Sequence, residues 1–306
     1  MISNNLKTLI VLIGECRGGE ETWRTMYQNL MIPYDADLAL CVGKKNNESI
    51  KENFLTKKSN YIWTINEYED WYDYFRENFG NSGFWESNLV YGLKGGGGTR
   101  GVIPIIFKHF IYQNYSKILE KYDRIILTRT DMYYIHEYPI LSNDHFWLMN
   151  GEDHGGYCDR FFCFPSKYLK ECLNICEYVN SKELNILLTK MYDQNNNLSF
   201  ISPWRCFFSG DSLDSLNTKD LYPIEKGMFN SECYHRLYFE YTGIVYKIRR
   251  CPVLQFLVSS LEDTTRTPDW EKKSTSFKNG LIIRYKSEFI DAFRTTKLFK
   301  VPTYIE

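Results

Sequence analysis

Near the start of the chain, Thr8-Leu-Ile-Val-Leu-Ile13 is an apolar run without alternation that ends in Gly14-Glu-Cys-Arg-Gly-Gly19. Such a run predicts a strand buried on both faces, here feeding a glycine loop. Trp23, Met26, Tyr27 and Leu30 then recur at helical spacing behind the acidic pair Glu20 and Glu21, which predicts a helix over 20–31. Strands are predicted at 36–42 and 61–65 and a helix at 67–79. The order strand, helix, strand, strand, helix implies a largely parallel sheet wound in the right-handed sense. Residues 80–101, with Gly80-Asn-Ser-Gly83 at one end and Gly95 to Gly98 at the other, read as a loop. Ile106, Phe107, Phe110, Ile111, Tyr115, Ile118 and Leu119 predict a long amphipathic helix ending near Tyr122. Immediately after it comes the strongest strand signal, Arg124-Ile-Ile-Leu127, which runs into Thr128-Arg-Thr-Asp-Met-Tyr-Tyr134.

The second half predicts a short strand at 146–149, a turn at 150–156 and a strand at 157–164 closed by Pro165. Helices follow at 167–179 and 182–192, then an Asn-rich loop at 195–197 and a helix at 230–241. Short strands at 245–248, 254–258 and 281–284 complete the pattern. No internal repeat and no clean linker is visible, so one α/β domain over 1–306 is expected, with a nucleotide-binding-like front half (1–135) and an elaborated back half (136–306).

Composition narrows the function classes. The 37 basic and 38 acidic residues leave a net charge of −1, which provides no global field for nucleic acid. No apolar run approaches the ~20 residues of a membrane span, and no signal-peptide pattern is evident. Nine cysteines without a C-x-x-C pair fit reduced, mostly buried thiols and a cytosolic location. Aromatic residues reach 17 %, including 24 Tyr, while alanine occurs only at Ala36, Ala39 and Ala292. That bias resembles AT-rich coding as much as a need for stacking surfaces.

Three groups of residues could carry chemistry. The loop Gly14-Glu-Cys-Arg-Gly-Gly19 matches neither the dinucleotide fingerprint nor the phosphate loop of nucleotide triphosphatases, and the acidic first turn beyond it disfavours a phosphate on that helix N-terminus. Gly14 still permits close backbone approach, and Arg17 can reach a phosphate or base. Asp131 stands at a strand end, a cleft position in wound α/β sheets, and a carboxylate there suits a divalent cation on a diphosphate. Strand alternation sends Arg129 and Asp131 to one face, so an ion pair ending the strand is the plain alternative. The third group is Glu152-Asp-His154 with Asp159-Arg160. Asp153 or Asp159 could act as a base, with Arg160 orienting Asp159 or touching phosphate, or Asp159 and Arg160 could form a structural pair. Glu232 could be a further carboxylate or a first-turn residue complementing its helix. His154 with Cys158 and Cys163 lacks zinc-ligand spacing, and Cys172 with Cys176 reads as core. Gly95 to Gly98 with Arg100 could close over a bound ligand.

The run Tyr122-Asp-Arg-Ile-Ile-Leu-Thr-Arg-Thr-Asp-Met-Tyr133 resembles the segment of GT-A-type nucleotide-sugar glycosyltransferases in which a strand ends in D-x-D or R-x-D. Gly155, Gly156, Asp159, Arg160 and Phe161 stand where many such enzymes, including ones of large DNA viruses and algae, carry two glycines and Asn-Asp-Arg-Phe; Cys158 replaces the Asn. Arg17-Gly-Gly, Thr22-Trp23, Tyr246 to Pro252 and Thr264-Thr-Arg266 are similar to the opening and closing segments. The resemblance implies a GT-A-like, Rossmann-like fold with helices on both sheet faces, and transfer of a sugar from a nucleotide diphosphate to a hydroxyl acceptor, such as a glycan. It implies donor contacts from Gly14, Arg17, Arg100, Arg129 and Asp131, with catalytic roles for Asp153, Asp159 and Arg160. Asp131 would bind Mn²⁺ or Mg²⁺. Because Arg129 replaces the first carboxylate of D-x-D, either Asp131 alone holds the cation or Arg129 itself neutralises the diphosphate. The same replacement would suit a module that binds nucleotide sugar or glycan without turnover.

Overall fold

The computed structural model describes residues 6–45, 49–93, 102–151, 153, 156–193, 199–201, 221–223, 231–260, 274–276, 281–284, 286–298 and 301–306. Its strands are β1 (Thr8–Ile13), β2 (Asp37–Lys44), β3 (Tyr61–Asn66), β4 (Arg124–Arg129), β5 (Met132–Tyr134), β6 (Ile140–Leu141), β7 (Phe146–Met149) and β8 (Phe161–Pro165). Further along lie β9 (Ser199–Ile201), β10 (Leu221–Pro223), β11 (Ile248–Cys251), β12 (Gln255–Ser260), β13 (Ser274–Ser276), β14 (Leu281–Arg284) and β15 (Tyr304–Ile305).

The apolar run at the start becomes the middle of a seven-stranded sheet ordered β11-β7-β8-β4-β1-β2-β3. β3, β2, β1 and β4 are parallel neighbours, β8 runs against both β4 and β7, and β7 and β11 are parallel again. The sheet is therefore mostly parallel, with one reversed strand. Both faces of β1 are covered, which explains the absence of alternation. Leu9, Val11 and Ile13 enter one core with Ile105, Ile106 and Ile111 of the helix Ile103–Leu119, together with Trp85, Tyr234 and Leu237. Ile10 and Leu12 enter the other, against Trp23, Met26 and Leu30 and against Met132, Tyr134 and Leu257. The last three side chains belong to a second sheet, β13-β14-β12-β5, whose pairings are all antiparallel. Helices thus cover one face, while the other is shared between the first helix and a small sheet.

Several element boundaries differ from the sequence reading for local reasons. The first helix, Gly19–Met26, continues through a π turn at Tyr27–Met31 into Ile32–Tyr34 and ends at Asp35, whose φ is 46°. Residues 84–93 are not loop but helix, Phe84–Leu93. Its flanking glycines conceal what tertiary contacts supply: Trp85 and Leu89 are buried four residues apart, and the Asn88 amide donates to the Val179 and Ser181 carbonyls at 2.8 and 3.1 Å. The glycine run Gly95 to Gly98 and Arg100 lie outside the described residues. The 167–179 helix breaks at Asn174 into Leu169–Leu173 and Ile175–Val179. Residues 244–247 form a 3₁₀ turn rather than a strand, because Gly243 in the left-handed region closes the helix Ser231–Thr242 and leaves Tyr246 exposed. A helix at Lys286–Leu298 follows β14 where the sequence reading has none. Among the described residues no helix is long and apolar enough to cross a membrane, and none of the eight described cysteines forms a disulfide.

The segment before β8 is locked onto the helix Ser231–Thr242. The Tyr157 N–H donates to the Glu232 carbonyl at 3.0 Å, and a methyl group at Gly156 would lie 1.9 Å from that same oxygen. Backbone cannot yield as a flexible side chain can, so Gly156→Ala is expected to lower unfolding stability by about 1–3 kcal/mol, read from urea midpoints at constant slope.

Candidate functional site

In a wound sheet, the crevice opens where successive connections leave a strand in opposite directions. Here that point lies between β1 and β4, since β1 leads outward to β2 and β3 while the chain then returns to β4 on the other side of β1. A cavity of about 480 Å³ lies there. Ile13, Gly14, Glu15 and Arg17 line it from the loop after β1, Gly43 from β2, and Glu67, Glu69 and Trp71 from beyond β3. Arg129, Thr130 and Asp131 close it after β4, Ile103, Pro104 and Phe107 enter from the start of the 103–119 helix, and Asp159 comes from the segment before β8. Asp159 reaches this end because β8 is reversed: the amino end of an antiparallel strand lies beside the carboxyl end of its neighbour, and Phe161 pairs with Thr128.

Two loops are tied at the crevice floor. Gly14, with φ of 96°, turns the chain out of β1 and donates its N–H to the Cys41 carbonyl at 3.1 Å. Trp23 Nε1 donates to the carbonyls of Arg17 and Thr130 at 2.9 and 3.0 Å, and the Thr130 hydroxyl donates to the Glu15 carbonyl. One indole therefore fixes the β1 and β4 loops together. Arg17 pairs with Glu15 at 2.6 Å and is partly exposed.

Arg129 and Asp131 form the planar, two-pronged pair that a guanidinium makes with a carboxylate. Arg129 Nε and Nη2 donate to Asp131 Oδ1 and Oδ2 at 2.8 and 2.7 Å. The Asp131 side chain is almost fully buried, whereas that of Arg129 is 31 % exposed. Burial opposes the guanidinium charge, but the Asp131 carboxylate raises its proton affinity further still. Each carboxylate oxygen of Asp131 thus accepts from Arg129, so a cation at Asp131 would sit against the guanidinium charge. Among the described residues no three His, Cys, Asp or Glu side chains gather in a way that could hold a metal ion. The charge facing the cavity beside Asp131 is that of Arg129.

Behind Asp159 lies a buried cluster of charged and polar groups. Lys108 is fully buried; its ammonium donates to His235 Nε2 at 2.9 Å and to the Asp159 carbonyl at 3.4 Å, and sits 4.2 Å from the Phe162 ring centre. His235 Nδ1 lies 2.6 Å from the Ser231 carbonyl oxygen, so Nδ1 carries the proton and Nε2 accepts from Lys108. Burial pushes Lys108 down to about 8, opposed by Asp159 and Glu232, and burial with the Lys108 charge pushes His235 down to about 3. Burial alone would raise Asp159, but Lys108, the Ser231 hydroxyl and Arg129 hold its carboxyl below the usual range. Glu232 goes the other way, up to about 7, through burial and the neighbouring Asp159 charge.

The structure separates the residues proposed from sequence. Gly14, Arg17, Arg129, Asp131 and Asp159 line the one cavity. Asp153 does not; it is buried, accepting from the Cys158 N–H at 2.8 Å and from Arg250 Nη2 at 2.9 Å. With both oxygens engaged it ties the segment before β8 to Arg250, away from the residues that line the cavity. Arg160 is also buried; its carbonyl accepts from the Thr128 hydroxyl at 3.1 Å, and its charge lies near Glu232. Arg160 is not among the residues that line the cavity. Arg100, Glu152, His154 and Gly155 lie outside the described residues. The sequence reading missed Lys108, Ser231 and His235. A lysine set among Ile105, Ile106, Phe107 and Ile111 was the visible signal, because a charge inside an apolar stripe needs a buried partner.

No protein-family model matches the chain, and no curated protein matches it.

The Lys108 ammonium is the cation on which Asp159 and His235 both depend. Lys108→Met, close in shape and uncharged, is expected to cost about 2–3 kcal/mol at pH 7 in chemical denaturation, as charge-linked hydrogen bonds are lost and Asp159 stays buried.

Proposed function

We propose that the protein is a glycosyltransferase that takes a sugar from a nucleotide diphosphate donor and places it on a hydroxyl acceptor, a glycan in the first instance. The observation that carries this reading is the opposition, within one cavity at the sheet's switch point, of the clamped Arg129 guanidinium and the Asp159 carboxylate. A departing nucleoside diphosphate needs its charge compensated, and an attacking hydroxyl needs a proton acceptor.

The remaining lining residues support the same division. Trp71 and Phe107, with ring centres 6.1 Å apart, give an apolar wall on which a base can stack, and Glu67 and Glu69 beside them can accept from ribose hydroxyls. Arg129 and Arg17 would face the diphosphate. In an inverting displacement, the bond from the anomeric carbon to the phosphate oxygen breaks with its electron pair going to the diphosphate. The acceptor oxygen bonds to that carbon, and its proton passes to Asp159 Oδ1, which accepts no hydrogen bond from the described residues. Charge compensation falls to the arginines, since Asp131 is spent on Arg129.

Thermal shift with nucleoside diphosphates and nucleotide sugars, in EDTA and with Mn²⁺, tests the reading together with assays of transfer. Stabilisation in EDTA is expected, about 2.7 kcal/mol at a hundred times Kd. Arg129→Ala is expected to reduce transfer by about 10²–10³-fold, the loss typical of a donor to developing negative charge. No stabilisation by any nucleotide would remove the reading. Stabilisation only with Mn²⁺ would return the diphosphate to a metal at Asp131, and binding without transfer would point to the non-catalytic module that Arg129 in place of a carboxylate also suits.

A further inference from the structure

The Ser231 hydroxyl has one hydrogen and two carboxyl neighbours. Its Oγ lies 2.8 Å from Asp159 Oδ2 and 3.1 Å from Glu232 Oε2, with both residues buried. If both carboxyls were ionised, only one of these contacts could contain a hydrogen, and the other would set two oxygen lone pairs against each other among buried residues. Both contacts become hydrogen bonds when one carboxyl is protonated, donates to Ser231 Oγ, and leaves the serine hydrogen for the other.

The surrounding charges decide which carboxyl holds the proton. Lys108 from the 103–119 helix and Arg129 from β4 both act on Asp159, and the Lys108 ammonium touches the Asp159 carbonyl. Glu232 faces the Asp159 carboxylate itself, with Arg160 and Lys108 as its nearby cations and the Cys158 thiol as a further neighbour. His235, on the same helix, is neutral and already bonded at both ring nitrogens. The arrangement runs Glu232 to Ser231 to Asp159, and Asp159 opens on the cavity.

We propose that Asp159 and Glu232 share a single proton through the Ser231 hydroxyl, which makes Glu232 a positioning residue that keeps Asp159 ionised and oriented toward the cavity. Burial and the Asp159 charge raise Glu232 in the same sense. That Asp159 is a catalytic base rests on the transferase reading; the shared proton does not.

Glu232→Gln provides the test, because its amide can donate to Ser231 Oγ as the protonated carboxyl does and cannot titrate. Glu232 binds its proton more tightly folded than unfolded, so its contribution to stability is complete below about pH 4.5 and is lost as pH rises through about 7. Between pH 6.5 and 8 the wild-type urea midpoint is expected to fall relative to that of Glu232→Gln, because His235 and Lys108, which bind their protons less tightly folded than unfolded, titrate alike in both proteins. Infrared spectra of the folded proteins at pH 6 should show a protonated-carboxyl band in wild type that is missing in Glu232→Gln. In transfer assays, the wild-type rate should show an inflection near pH 7 that the variant lacks, whereas a merely structural Glu232 would lower the rate at every pH and leave the inflection in place. Midpoint slopes that are equal in the two proteins, or a carboxyl band or inflection that persists in Glu232→Gln, overturn the proposal. If the two slopes differ as expected and the band vanishes in the variant while no nucleotide sugar supports transfer in wild type, the shared proton stands and the transferase reading falls.

Discussion

A single buried ammonium organises the ligand end of this sheet. Lys108 comes from the helix behind the crevice, Asp159 from the segment before β8, and His235 from the helix Ser231–Thr242, so three elements distant in sequence converge on one charge. An ammonium buried without partners gives up its proton instead, so the charge on Lys108 and the packing of these elements support each other. The tight approach of Gly156 to Glu232 serves the same end, because it brings the amino end of that helix within reach of Asp159.

The reversed strand determines which chemistry can meet there. In a fully parallel sheet every strand presents its carboxyl end to the crevice, and the residues before each strand lie at the far side. β8, paired antiparallel to β4, brings the residues that precede it to the near side, opposite Arg129. The result is a cavity lined by a cation held by its own carboxylate and by a carboxylate that accepts from the Ser231 hydroxyl, with the Lys108 ammonium on its backbone carbonyl. Neither charge needs a ligand to be stable, and each keeps some capacity toward one: Arg129 through its exposed edge, Asp159 through Oδ1.

What could be read from the sequence follows from how local the cause was. Leu9 to Ile13 declared a doubly covered strand because burial on both faces erases alternation, and Asp131 declared a cleft position because it ends such a strand. The helix Phe84–Leu93 was illegible, since its stability lies in Asn88 and Trp85 meeting residues some ninety positions away. Asp153 and Asp159 could not be told apart either. Both stand in irregular chain, where no period assigns a side chain to a face, and only the pairing of Asp153 with Arg250 separates them. Lys108 and His235 were written in helical stripes that read as ordinary core.

The central pairing of β1 with β4 carries a consequence for how the protein comes into being. Where the two segments begin, the Lys7 N–H binds Asp123 across a sequence separation of 116 residues. Closing so long a loop costs entropy before any contact repays it, which favours slow folding and late consolidation of the sheet's middle. The crevice lies between these two strands, so it has no counterpart in a half-folded chain. A ligand that enters the crevice would therefore report completed pairing of β1 with β4 rather than partial structure.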